Sequence, residues 1–119
     1  MSDVGGGSGA YPELRATGLD AIEAQGNEFA YAATYYEERA RTYRRAAAEL
    51  ESTNSGATID EMVIAHHIRA RKHDMRVEVQ HELAKGQKKV VGLGRALNSK
   101  LDQIHHETQQ EIEAAGPVL

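Results

Sequence analysis

Large apolar residues recur every seventh position through the first half of the chain: Ile22, Phe29, Tyr36, Tyr43 and Leu50. Four residues after each of the first four come Gly26, Ala33, Ala40 and Ala47. A seven-residue period keeps one stripe of a helix turned toward a neighbour. Small residues along that stripe let a second helix approach closely, with the large ones as knobs. The pattern predicts a helix over 12–52, with Pro12 in its first turn, where a missing N–H costs nothing. Thr53, Asn54, Ser55 and Gly56 then form a break of turn formers, which predicts a turn near 53–57. Thr58 with Glu61 three residues on reads as a capping box. A second helix follows over 58–115, stopped by Gly116 and Pro117. Gly86, Gly92 and Gly94 each weaken that helix by roughly 1 kcal/mol against Ala, so a kink over 86–94 is expected. Residues 1–10, with Gly5, Gly6, Gly7 and Gly9, read as a flexible tail, and 116–119 as a short one.

The second helix has two apolar faces. Ile64, Ile68, Met75, Val79, Leu83, Val90, Leu93, Leu97, Leu101, Ile104 and Ile112 share one broad stripe at 100° per residue. Nearly opposite lies a lighter face of Val63, Ala70, Val77, Ala84 and Val91, spaced seven apart. A single neighbouring helix cannot cover both, and a helix apolar on two sides is normally buried on two sides. The expected architecture is therefore an all-α, two-helix antiparallel hairpin. Its first-helix seam packs on one face of the second helix. The other face, assigned to Val63, Ala70, Val77, Ala84 and Val91, meets a protein partner. That partner is a second copy, or another helical hairpin in a heterodimer, and it completes a helical bundle.

Composition agrees with long helices and removes most chemistry. The 119 residues suffice for one domain, Cys and Trp are absent, and only 5% are aromatic. No run approaches the ~18 apolar residues of a membrane span. The first residues lack the basic start and apolar run of a Sec signal, so a cytoplasmic protein, or one exported by a Sec-independent route, is expected. The net charge of −4 is segregated. Nine Lys/Arg face three acids between His66 and Lys100, whereas Asp102, Glu107, Glu111 and Glu113 follow without a base. Arg69, Arg71, Lys72 and Arg76 form one basic patch, and Lys85, Lys88, Lys89, Arg95 and Lys100 another. The acidic total and the lack of aromatic stacking residues on this helix argue against nucleic acid. Six histidines raise the question of metal. Glu78 and His81 have the Glu-x-x-His spacing that forms half of a ferritin-like ligand set, but the other half must come from neighbouring helices, and no metal is assigned. His66 and His73, on the edge of the lighter face, suggest pH sensing instead. There is no catalytic motif and no cofactor-binding loop, so a non-enzymatic protein without a cofactor is expected.

In outline the chain, over about Tyr11 to Ala115, resembles the WXG-type small helical-hairpin proteins of type VII secretion systems. The resemblance rests on an Ala-rich first helix, a short Gly-containing hinge and a second helix. Where that family has Trp-x-Gly, this chain has Asn54-Ser55-Gly56, so only Gly56 matches. The family's export signal, a Tyr followed four residues later by an acid, is absent: Tyr31, Tyr35, Tyr36 and Tyr43 all lie on the first helix without that acid. The resemblance implies dimerisation into a four-helix bundle and a role as adaptor, chaperone or co-secreted partner.

Overall fold

The computed structural model describes residues 11–116. It is an all-α hairpin of two helices, α1 (Leu19–Thr53) and α2 (Ala57–Ala115), with no strand among the described residues. The tail expected over 1–10 and the residues after Gly116 lie outside the described residues. Contacts divide the hairpin into two compact units. The turn unit is Gly26–Lys85. Among the described residues, the terminal unit joins 11–25 with 86–116.

α1 begins at Leu19, not at Pro12, the start expected for a helix over 12–52. Before it, the chain from Tyr11 to Arg15 forms a turn closed by the Leu14 N–H on the Tyr11 carbonyl at 2.8 Å, and Gly18 follows at φ +68°. A left-handed residue cannot sit inside an α-helix. Gly18 instead supplies the first carbonyl of α1, accepting from Ile22 N–H at 3.2 Å. Ala16 is also withdrawn from any helix, because its N–H and C=O are both held by the Asn98 side chain.

The turn between the helices ends on Gly56, whose φ of +118° is open only to glycine. Gly56 C=O accepts from Asp60 N–H at 3.0 Å, so Gly56 occupies the cap and Thr58 lies inside the first turn. The capping box expected at Thr58 is thus displaced by the glycine before it. Residues 86–94 are helical throughout, within α2. Gly116, at φ +68°, ends it with its N–H on the Glu113 carbonyl.

The buried positions step by alternating threes and fours on both helices. On α1 they run from Leu19 and Ile22 through Gly26, Phe29, Ala33, Tyr36, Ala40, Tyr43 and Ala47 to Leu50. The small members are buried and the large ones from Ile22 onward half-buried. On α2 the same rhythm links Ile59, Val63, His66, Ala70, His73, Val77, Gln80 and Ala84 in the turn unit. It links Gln87, Val91, Gly94, Asn98, Leu101 and His105 in the terminal unit. This is the a/d rhythm of a coiled coil, with small and polar residues in most of the α2 places.

Candidate interaction surface

The inner and outer faces of α2 are the reverse of the expected ones. Val63, Ala70 and Val91, assigned to a partner interface, are buried in the hairpin core, and Val77 and Ala84 are half-buried on the same face. The large residues of the broad stripe stay outside. In the turn unit these are Ile64, Ile68, Met75, Val79 and Leu83; in the terminal unit, Val90, Leu93, Leu97, Ile104 and Ile112. Met75 is 62% exposed and Leu93 65%. Leu101 alone of that stripe turns inward. The physical reason lies in α1. Its knobs are Phe29, Tyr36 and Tyr43, and bulky rings need small or flat residues opposite them if two helices are to pack closely.

In the turn unit the fit is an aromatic ladder. Tyr36 stacks on His73 (5.7 Å between centroids, 21° between planes), His73 on Tyr43 (5.7 Å, 11°), and Tyr43 tilts against His66 (5.7 Å, 33°). Arg76 lies over Tyr36, and Arg39 and Arg69 over Tyr43, at 5.7 to 6.0 Å. The Arg76 guanidinium is also 3.1 Å from His73 Nδ1. A guanidinium only donates, so Nδ1 must accept and the imidazole is neutral, with its proton on Nε2. Burial, followed by the charges of Arg76 and Arg39, pushes the His73 pKa below its ordinary value, opposed by Asp74. Asp74 pairs with Arg44 of α1, and that hydrogen bond lowers its own pKa.

In the terminal unit the residues before α1 are pinned by a polar clamp. Asn98, only 1% exposed, accepts from Ala16 N–H at 2.9 Å and donates to Ala16 C=O at 3.0 Å. The buried Arg15 side chain meets Asp102 at 2.5 Å, and Tyr11 sets its ring edge-on to His105. Leu19 packs so closely on Gly94 that a Cβ there would stand 2.7 Å from Leu19 Cδ2. Arg95 holds Glu23 at 3.0 Å and Asp20 at 3.6 Å; its hydrogen bond holds the Glu23 carboxyl below its usual range.

These contacts absorb much of the sequence's chemistry. Arg69 and Arg76 of one basic patch lie over tyrosines, while Arg95 and Lys85 of the other have acidic partners. Glu78 and His81 are exposed, and among the described residues no group of three or more metal-ligating side chains converges. None of the described helices is long and apolar enough to cross a membrane. Sequence reasoning missed Arg15, Asn98 and Asp102. The available signal was an Asn in place of an apolar residue at a seam position, seven after Val91 and beside a glycine-rich stretch.

No protein-family model matches the chain, and no curated protein and no solved structure is significantly similar to it.

Proposed function

We propose that the protein is a non-enzymatic helical interaction module whose outer α2 face receives a helix of another polypeptide chain. One observation carries this reading: α2 keeps its small and polar residues inside and its large aliphatic ones outside. A face that only meets water needs no such row, and contiguous exposed apolar patches mark interaction sites. The WXG-type resemblance fits the same mode of action, as an adaptor, a chaperone or a co-secreted partner, through bundle formation with a second hairpin.

The test is site-specific photo-crosslinking in the source cell. A photoreactive residue at Leu93 or Leu97 should give an adduct of discrete mass. The same residue at Arg45 or Glu51, exposed on α1, should give none. Equal or absent labelling at all four positions refutes the reading.

A further inference from the structure

The outer face of the turn unit has a spacing and a charge pattern that fit a second copy of the same face. Its exposed side chains on α2 are Ile64, Ile68, Lys72, Met75, Val79 and Leu83. The steps between them are four, four, three, four and four. The series reads the same in either direction about the midpoint of residues 73 and 74. A two-fold, antiparallel contact can use such a series, because each position then meets its mirror position on the other copy, and the flanking charges decide for it. We propose that this face is an isologous, antiparallel dimer contact with a second copy of the chain, resting on the reading of α2 as a docking helix.

Laid antiparallel about that midpoint, Ile64 meets Leu83 of the second copy and Ile68 meets Val79. Near the two-fold, Met75 meets the aliphatic stem of Lys72. The flanking charges agree with this register. Two-fold antiparallel helices bring like flanks together, so Arg71 stands near Glu78 of the second copy and Asp60 near Lys85. Arg71, Glu78 and Asp60 take no part in the ion pairs among the described residues, whereas Lys85 also reaches Glu82 of its own helix at 3.4 Å. The opposite flank carries Arg69 and Arg76, a repulsive combination if both reached across. Both are drawn back over Tyr43 and Tyr36 instead. The five apolar side chains expose on the order of 500 Å² per copy, so a pair buries about 1,000 Å², the lower bound for a specific interface.

The chain contains no cysteine, so introduced ones report cleanly. The full chain is purified as Ile68→Cys and as Val79→Cys, and each is oxidised alone and mixed. The expected result is a disulfide-linked dimer from the mixture and little from either variant alone. In parallel, light scattering should show the unaltered protein at twice its 13.0 kDa and Val79→Asp at half the mass of the unaltered protein, with helicity retained. Cross-linking of each variant with itself indicates a parallel pair and overturns the proposal. A monomeric unaltered protein overturns it too. In that event, discrete adducts at Leu93 or Leu97 in cells leave the interaction reading standing with a different partner, whereas their absence removes both.

Discussion

Replacing Asn98 with Ala tests whether the start of α1 is set by a side chain on the far end of the sequence. Asn98 makes two neutral hydrogen bonds to one residue, through the N–H and C=O of Ala16. Each such bond contributes a net ~0.5–1.5 kcal/mol, and a buried group left without its partner costs ~1–3 kcal/mol. Ala16 is half-buried, so water reaches part of what the substitution exposes. A loss of about 2 kcal/mol follows, or roughly 30-fold in the opening equilibrium of the terminal unit. Native-state amide hydrogen exchange reads this directly, because opening is resolved residue by residue. Protection should fall at Leu19–Gln25 and around Val91–Leu101, while the amides near Ala40 and Ala70 in the turn unit keep theirs. Asn98→Leu is the informative control. A seam short only of apolar surface would gain from it, whereas Ala16 still loses both partners and stability falls. Protection unchanged within about a factor of two in Asn98→Ala refutes the clamp, since the bonds at stake predict a far larger change.

Three further outcomes follow from the same contacts. Gly86→Ala and Gly92→Ala add a Cβ with nothing within 4 Å and should each stabilise the fold by about 1 kcal/mol; Gly94→Ala must displace the buried Leu19 and should lower the melting temperature. Val77→Asp puts a carboxylate into the inner face and should destabilise the turn unit by about 2 kcal/mol or more, seen as lost helicity in urea at lower concentration. His73 has a lowered pKa in the fold, so the unfolded chain binds its proton first as pH falls below about 6.5. Stability present above that pH should decline from there down to the folded pKa and then level off for this group. His73→Gln should flatten this part of the urea-midpoint profile.

The hairpin is legible in the sequence because its period is. The seven-residue series from Ile22 to Leu50, the turn formers at 53–56 and the stop at Gly116 are local signals, and local signals fix helices. What the sequence hides is which apolar face of α2 turns inward. Hydrophobicity alone favours the Ile64–Leu83 side, since more apolar area lies there. Packing decides otherwise: the rings of Tyr36 and Tyr43 need flat or small neighbours, and His66, Ala70 and His73 supply them. The start of α1 is hidden for a different reason. Ala16 leaves the helix through a hydrogen bond to a residue 82 positions away, which no local window contains.

The exchange of faces has an energetic consequence for the turn unit. The buried apolar residues of the turn unit are Ala33, Ala40, Ala47, Ala70 and Val63. A buried methyl or methylene contributes ~0.8 kcal/mol, whereas a fully buried Leu, Ile or Met side chain contributes ~1.5–3 kcal/mol. In the turn unit the inner seam therefore draws its apolar stabilisation from alanines, Val63 and the half-buried rings on α1. The side chains able to contribute most, among them Ile64, Met75 and Leu83, keep roughly half of their surface exposed and so contribute only part of that. Polar seam residues reinforce the point, since stacked His73 and the Asn98 clamp specify register more than they add burial. Register is fixed within the hairpin, while a large share of the apolar surface of α2 stays exposed. On the proposed reading, folding and binding are linked by mass action: a chain that docked on the outer face of α2 would stabilise the seam behind it.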